Sequence, residues 1–288
     1  MKKFNHTNLF LVSLMVLCFS YFANGQGKAE IIITKDLEYR KALNYQGKME
    51  SVKFDLYQKS DSFKLNKPVI ILVHGGGFQS GDKGFTKSQG NFYPDLASKL
   101  ADLGYLVISA NYRLWPDYPI ESFSLELGKA ISDIHCLVKH LKGKSKKYHI
   151  DKRNILLCGD SAGGAIVINT FLKNPELYVG CINLWGGLPP YGEKTMNNHI
   201  VNRFPIKTDL PPVCIVHGTI DDIVPYVTSQ NLSDSLSVMR CYNELHTLQG
   251  ASHYPVKRFD QIAQIVTDFC KTALFTSPQN PEVVKRKK

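Results

Sequence analysis

Cysteine is scarce in this chain, with seven residues in 288. Cys158, Cys181 and Cys214 stand inside short apolar runs of the kind that form central strands. Unpaired cysteine is among the most buried residue types, whereas disulfide frameworks belong to short, cysteine-dense chains. The sequence therefore predicts small buried thiols rather than a disulfide scaffold, and it leaves a single bridge open.

Long hydrophobic runs are also lacking. The longest apolar stretch, Leu9 to Phe22, is shorter than the ~18 residues expected of a membrane-spanning helix. It follows Lys2 and Lys3 and precedes three small residues at 23–25. The order basic, apolar, small is typical of a cleaved secretory segment. We therefore interpret residues 1–25 as a signal peptide.

Removal of that segment before Gln26 leaves 26–288, a length that suits one α/β domain with a large buried sheet. We expect a single exported domain, periplasmic or secreted, with no integral membrane segment after cleavage. A lipid anchor at Cys18 would need a small residue before it, and Leu17 stands there instead. Lipid anchoring is therefore not expected, although it stays open.

The basic clusters are not regularly interleaved with aromatic residues. The chain carries a formal net charge of +10. Single-stranded nucleic-acid surfaces interleave basic and aromatic side chains. We therefore predict a solvated basic face and no nucleic-acid partner. The main basic positions are Lys142, Lys144, Lys146, Lys147, Lys152, Arg153 and the tail 285–288.

Short β-branched runs alternate with longer helical patterns, which predicts an α/β fold with a mostly parallel central sheet and helices on both faces. Gly186 to Pro212 is longer than a strand-to-helix connection needs and is predicted to be a lid or pocket wall. The predicted strands are Ser51–Tyr57, Val69–Val73, Leu106–Ala110, Ile155–Cys158, Gly180–Leu184, Val213–Val216 and Tyr242–Leu248. The predicted helices are Tyr93–Leu103, Leu125–Leu141, Ala165–Leu172, Tyr226–Val238 and Val256–Leu274.

A G-x-S-x-G sequence, Gly159 to Gly163, stands between a predicted strand and a predicted helix. A tight strand-to-helix turn strains the backbone at the central serine and projects its hydroxyl toward substrate. Ser161 is therefore the predicted nucleophile. The alternative is a glycine-rich turn that merely begins a helix.

Three consecutive glycines follow His74, at the end of another predicted strand. Without side chains, their main-chain amides can approach a substrate oxygen closely. We predict an oxyanion hole formed by the amides of Gly76, Gly77 and Ala162. Each such donor contributes ~3 kcal/mol to transition-state stabilisation. A flexible glycine turn is the alternative.

A serine hydroxyl needs a base to remove its proton and an acid to orient that base. His253 follows the last predicted strand, in a short polar loop, and is the predicted base. Asp221 and Asp222 both follow the strand before it, and we favour Asp221. The order Ser, Asp, His is that of the α/β hydrolases. His217 and His246 lie at or within strands and are interpreted as structural.

The longer motifs resemble a known family. From about Phe54 to Tyr254 the chain is similar to the α/β-hydrolase superfamily, in the hormone-sensitive-lipase-like and bacterial feruloyl or acetyl esterase-like branch. The segment Ser80–Lys83 is more similar to the carbohydrate-esterase members. The motifs that carry the resemblance are Phe54–Tyr57, His74–Lys83, Asn111–Leu114, Gly159–Gly164 and His217–Asp221.

The resemblance implies that Asp221 is the acid of the catalytic triad. It also implies that Tyr112 and Arg113 support the fold beside the site, that Asp133 is structural, and that neither a metal nor an organic cofactor is used. The stretch 26–46 is too short for the large helical cap of some relatives.

Trp115 stands where many members of the family carry a small residue, so a narrower acyl pocket is expected, with Trp185 as a second predicted pocket residue. Together these features predict a serine carboxylic-ester hydrolase that acts through an acyl-enzyme on short acyl or carbohydrate esters. Two alternatives stay open. One is a serine peptidase of the same fold, and the other is a binding protein without turnover.

Overall fold

The computed structural model describes residues 30–60, 66–84, 86, 90–116, 123–187 and 210–276. The predicted signal peptide, Cys18, most of the predicted lid and the basic tail lie outside the described residues. Those interpretations stay predictions.

The described residues alternate between strands and helices. The strands are β1 (Ile31–Leu43), β2 (Met49–Lys59), β3 (Lys67–Val73), β4 (Leu106–Ala110), β5 (Ile150–Asp160), β6 (Gly180–Leu184), β7 (Val213–Gly218) and β8 (Asn243–Leu248). The helices are α1 (Phe92–Asp102), α2 (Phe123–Gly143), α3 (Ser145–Tyr148), α4 (Ala162–Lys173), α5 (Val227–Val238) and α6 (Phe259–Thr276). Short 3₁₀ turns span Pro175–Leu177 and Val256–Arg258.

The strands form one sheet in the order β1-β2-β4-β3-β5-β6-β7-β8. All neighbours from β4 to β8 pair in parallel, whereas β2 is antiparallel to both β1 and β4. The predicted mostly parallel sheet is therefore confirmed. Its parallel part brings the carboxyl ends of β3, β5, β7 and β8 to the same edge.

Alternate side chains of the central strands fill two apolar layers, because successive residues of a strand point to opposite faces. In β3, Val69, Ile71 and Val73 join the layer that includes residues of α2, α4 and α5, whereas Ile70 and Leu72 join the layer of α1 and α6. Each fully buried side chain of this size stabilises the fold by about 1.5–3 kcal/mol. Helices thus cover both faces of the sheet, as predicted.

The long first strand was not predicted from the sequence. β1 pairs with β2 from Ile31 opposite Lys59 to Leu43 opposite Met49, and most of its side chains are exposed or only half-buried. An edge strand with little burial carries no strong hydrophobic alternation, so its pattern is weak. The residues before the first predicted strand therefore extend the sheet.

The cysteines of the central strands are unpaired, as predicted. Cys158, Cys181 and Cys214 are fully buried free thiols, and burial raises the pKa of each. Across the ranges that the structure describes, no helix is both long enough and apolar enough to cross a membrane.

One buried carboxylate joins the outer strand to the helical layer. Asp133 on α2 is fully buried and accepts a hydrogen bond from Arg40 of β1 at 2.6 Å. The guanidinium of Arg113, just after β4, donates to the same carboxylate through two nitrogens, each 2.9 Å from an oxygen. The backbone amide of Arg113 adds a contact of 2.9 Å. Asp133 therefore holds α2 against the segment that follows β4.

We predict that Asp133→Asn lowers the free energy of unfolding by about 3 kcal/mol, because it leaves two arginines without their buried counter-charge. Asp102→Asn is the control, since the Lys59–Asp102 pair is substantially exposed and should contribute less than ~1 kcal/mol. Urea unfolding of both variants tests this. Equal, small losses would show that the Asp133 pair contributes little.

Candidate active site

The residues predicted to carry chemistry follow four different strands. His74 to Gly77 follow β3, Ser161 follows β5, Asp221 follows β7 and His253 follows β8. These strands run parallel within the sheet, so the four segments gather at one edge.

Ser161 occupies a strained turn between β5 and α4. Its φ is 49° and its ψ is −119°, a region that non-glycine residues rarely adopt. Its amide donates to Leu184 O at 2.9 Å. The turn also needs a glycine at 163, where an added Cβ would lie 2.0 Å from Val73 O. The strained turn predicted from the G-x-S-x-G sequence is therefore present, and the role of Ser161 as nucleophile stays a prediction.

Three of the predicted residues form one hydrogen-bonded line. His253 Nε2 lies 2.9 Å from Ser161 Oγ, and His253 Nδ1 lies 2.6 Å from Asp221 Oδ2. The side chains are largely buried, with Ser161, Asp221 and His253 only 5%, 8% and 7% exposed. A proton on Nδ1, held by the carboxylate, leaves Nε2 free to accept the serine proton. Asp222, the alternative acid, is exposed.

The surroundings of Asp221 keep its carboxylate ionised. Its Oδ1 accepts hydrogen bonds from the amides of Ile223 at 2.9 Å and Val224 at 2.8 Å. Burial alone would raise its pKa, but hydrogen bonds from His217 and His253 outweigh burial and hold the pKa well below its ordinary value. Asp221 can therefore stabilise an imidazolium without taking its proton.

The other two candidate histidines have structural partners. His217 lies between Ser229 Oγ, 2.6 Å from its Nδ1, and Asp221 Oδ2, 3.1 Å from its Nε2. His217 thus contacts the same Asp221 oxygen as His253 and helps to orient this carboxylate. His246 Nε2 lies 3.0 Å from Glu244 Oε2 on β8.

A buried carboxylate connects the glycine loop to the nucleophile turn. Asp160, fully buried, accepts the amide hydrogen of Gly75 at 2.6 Å and also contacts the Tyr93 hydroxyl. An added Cβ at Gly75 would lie 3.0 Å from the Cβ of Ser161, so the two segments touch. The G-x-S-x-G motif alone does not indicate this role of Asp160.

The loop conformation requires glycine at 76. Gly76 has φ +112°, and an added Cβ would lie 2.0 Å from Ser80 O. Its carbonyl accepts hydrogen bonds from the amides of Gln79 and Ser80, which closes the turn. Gly77 has φ +62°. On the other side of Ser161, Ala162 is the first residue of α4, where backbone amides lack helical partners. The donor roles of these amides stay predictions.

Tyr112 contacts the start of the same glycine loop at His74. Its ring stacks on His74 with centroids 4.6 Å apart, and its hydroxyl donates to His74 O at 3.1 Å. Burial lowers the pKa of His74, so this imidazole is neutral near pH 7. The resemblance placed Tyr112 beside the site, and the structure shows which contacts it makes there.

The residues after the glycine loop attach it to the outer strands. Lys83 Nζ lies 3.1 Å from Asp36 on β1 and 3.2 Å from Asp55 on β2. The side chain of Asn111 accepts from the Lys83 amide at 2.6 Å and donates to Asp82 at 2.8 Å. This part of the motif therefore holds the loop in place through ion pairs and hydrogen bonds.

The two tryptophans predicted to line a pocket lie in different surroundings. The Trp115 ring lies 3.4 Å from Lys129 Nζ and has its centroid 6.1 Å from that of Tyr45. Trp185 is buried in the layer of α1 and α6, with its ring 5.9 Å from Phe92. Their roles in substrate binding stay predictions.

Only one group of potential metal ligands is present within the described ranges, and it lies away from the triad. Cys214 on β7 and Glu244 and His246 on β8 place their ligand atoms within 4.8 Å of one another.

Comparisons with known proteins find similar sequences over part of the chain. The family described as BD-FAE matches residues 54–177. Tuliposide A-converting enzyme b1 of Tulipa gesneriana is 32% identical over 143 residues, covering 48% of this chain and 36% of that enzyme. The probable carboxylic ester hydrolase LipM of Mycobacterium tuberculosis is 23% identical over 224 residues, covering 63% of this chain and 48% of the relative. The chain thus spans less than half the length of these relatives.

Solved structures share the fold over most of the chain. Esterase 2 of Thermogutta terrifontis, phosphonylated by cyclosarin, superposes with a TM-score of 0.61 at 19% identity, covering 84% of this chain and 94% of that one. A truncated carbohydrate esterase from gut microbiota gives a TM-score of 0.60 at 18% identity, covering 86% and 98%. The chain therefore has the α/β-hydrolase fold, and it is similar in sequence to the BD-FAE family and to carboxylic ester hydrolases.

Proposed function

We propose that this protein hydrolyses carboxylic esters through an acyl-enzyme on Ser161. The observation that carries the proposal is the buried line from Ser161 Oγ to His253 Nε2 at 2.9 Å and from His253 Nδ1 to Asp221 Oδ2 at 2.6 Å. Such a line makes a weak hydroxyl nucleophilic at neutral pH. The similarity to the carboxylic ester hydrolase LipM supports the same reaction.

The reaction follows from the positions of these groups. Ser161 Oγ attacks the acyl carbon while its proton moves to His253 Nε2, and the C=O electron pair moves onto oxygen. The amides of Gly76, Gly77 and Ala162 would donate to that oxyanion. When the tetrahedral species collapses, His253 protonates the leaving alcohol. A water molecule then attacks the acyl-enzyme, with His253 as its base, and releases the acid.

We propose short acyl or carbohydrate esters as the substrate class. Structural relatives include a carbohydrate esterase from gut microbiota and a butyrate-bound form of Thermogutta terrifontis esterase 2. The similarity of Ser80–Lys83 to the carbohydrate-esterase branch supports this class. The predicted signal peptide supports action outside the cytoplasm, where polysaccharide esters are accessible.

Removal of the nucleophile tests the mechanism. Ser161→Ala should reduce hydrolysis of p-nitrophenyl acetate to below ~1% of wild type, because triad residues act as a unit, while the thermal transition stays nearly unchanged. Retained turnover above that level in a folded variant would reject Ser161 as the nucleophile.

The two adjacent aspartates provide a matched pair for the acid. Asp221→Asn should lower kcat by at least ~100-fold, because the amide no longer holds the Nδ1 proton of His253. Asp222→Asn, at an exposed position, should stay within about twofold of wild type. Steady-state kinetics of both variants test this prediction. A larger loss of kcat in Asp222→Asn than in Asp221→Asn would assign the role of the triad acid to Asp222.

The pH dependence of kcat/KM should show a single protonation step. The pKa of Asp221 is lowered, so acidification below the usual ~3.9 of an aspartate is needed before this carboxylate takes a proton. Asp221 therefore stays ionised above about pH 4.5, and the base must be unprotonated to accept the serine proton. The logarithm of kcat/KM should therefore fall toward acid with a limiting slope of about one. A flat profile, or a slope near two, would contradict this assignment.

Acyl-chain length tests the substrate class. We expect kcat/KM on p-nitrophenyl esters to fall by at least about tenfold, or ~1.4 kcal/mol, from acetate to octanoate. Trp115→Ala should flatten the dependence if its indole restricts the pocket. A wild-type preference for octanoate would instead indicate a continuous apolar groove, in which each buried methylene contributes ~0.8 kcal/mol.

A further inference from the structure

Three side chains with different ligand atoms lie together on the last two strands of the sheet. Cys214 on β7 stands directly opposite Glu244 on β8 in the parallel register, and His246 follows two residues later on β8. Alternate residues of a strand share a face, so Glu244 and His246 lie on the same side of the sheet. The ligand atoms of all three residues lie within 4.8 Å of one another. The register therefore brings one thiol, one carboxylate and one imidazole together.

This combination of ligand atoms suits a transition metal. Magnesium and calcium take oxygen ligands, whereas sulfur and imidazole nitrogen favour zinc and related ions. The carboxylate adds a negative charge, which attracts a divalent cation. Proteins bind Zn²⁺ in tetrahedral sites through cysteine, histidine and acidic side chains. The chemistry of the three residues therefore matches Zn²⁺.

The distances between these atoms are close to those of a tetrahedral site. Zn–O and Zn–N bonds of ~2.0 Å place two such ligands ~3.3 Å apart, and Glu244 Oε2 already lies 3.0 Å from His246 Nε2. A Zn–S bond of ~2.3 Å places the sulfur ~3.6 Å from the other ligand atoms, so the present separations must shrink by about 1 Å at most. Glu244 and His246 are only half-buried, and rotation of their side chains supplies this change.

A neighbouring tyrosine already orients the carboxylate. The hydroxyl of Tyr242 donates to Glu244 Oε1 at 2.8 Å, while Glu244 Oε2 faces His246. Carboxylates that bind metals are themselves hydrogen-bonded, because the outer partner fixes the orientation of the ligand. An ion between Glu244 Oε2 and the imidazole would replace their mutual hydrogen bond and leave the Tyr242 contact intact.

The three residues are reached from a cleft between β8 and α6. Glu244 and His246 line this cleft, which has a volume of about 470 Å³, and α6 contributes the polar side chains of Gln261, Gln264 and Asp268. Cys214 is fully buried behind the two β8 residues. An ion can therefore enter from solvent, and a water molecule can take the fourth position of a tetrahedral site.

We infer that Cys214, Glu244 and His246 bind a divalent transition-metal ion of the zinc type, which joins the edge strand β8 to β7. Burial raises the pKa of the Cys214 thiol, but a coordinating metal ion deprotonates a thiol outright, and the proton leaves to solvent. The site contains no residue of the proposed triad. The inference therefore stands whether or not the protein hydrolyses esters.

Calorimetric titration with ZnCl₂ tests the site on the purified protein, after treatment with EDTA and a thiol-free reductant. We expect one equivalent to bind with a Kd below about 10 μM. The thermal transition should rise with added ZnCl₂, because an ion that binds only the folded state stabilises it. His246→Gln and Cys214→Ala should each weaken binding by at least about tenfold, because each removes a ligand.

The matched controls are a histidine and a cysteine on α2. His135 is exposed and Cys136 is a half-buried free thiol, and His135→Gln and Cys136→Ala should bind Zn²⁺ as the wild type does. Thermal unfolding without metal shows which variants are folded. If Cys214→Ala does not fold, His246→Gln, which keeps a polar side chain at a half-buried position, provides the comparison.

Cobalt identifies the ligands directly. Tetrahedral Co²⁺ has strong visible absorption bands, and a thiolate ligand adds a charge-transfer band in the near ultraviolet, so the spectrum reports geometry and sulfur together. We expect both features in the wild type and in Cys136→Ala. The near-ultraviolet band should be lost in Cys214→Ala.

Three results would overturn the inference. The first is a Zn²⁺ Kd above about 10 μM for the wild type. The second is equal binding by the wild type and His246→Gln, which would place the ion elsewhere. The third is a cobalt spectrum without the sulfur band, which would show that Cys214 is not a ligand.

Discussion

The hydrogen bond between the Asp160 carboxylate and the Gly75 amide, 2.6 Å long, holds the two halves of the site together. It joins the end of β5, after which the proposed nucleophile Ser161 stands, to the loop after β3, which carries the proposed oxyanion donors. Both groups are buried, so the bond is not weakened by competition with water.

Residues near this hydrogen bond have unfavourable backbone conformations. Ser161 has φ 49°, and Tyr254, the neighbour of His253, has φ 53°. The apolar layers on both faces of the sheet stabilise the fold sufficiently to hold these residues in place. Five other described non-glycine residues also have positive φ, but these two stand in or beside the proposed triad. Strain and function therefore coincide here.

The sequence predicts the central fold well because buried parallel strands appear in it as continuous apolar runs. Leu106–Ala110 and Gly180–Leu184 are predicted with the bounds that the structure has. The first strand, Ile31–Leu43, is missed because its exposed side chains leave no apolar period. In the site, Ser161, Asp221 and His253 can be found from their order after successive strands. The role of Asp160 cannot be found, because it depends on contacts with residues 67 and 85 positions away.

The proposed ester hydrolysis depends on Ser161 as a nucleophile that His253 activates. A fluorophosphonate reacts covalently with such a serine, and mass spectrometry of the intact protein and its peptides locates the adduct. We expect one phosphonyl group on Ser161, and none on Ser161→Ala or on wild-type protein unfolded before treatment. An adduct on another residue, or an unlabelled wild-type protein, would contradict it.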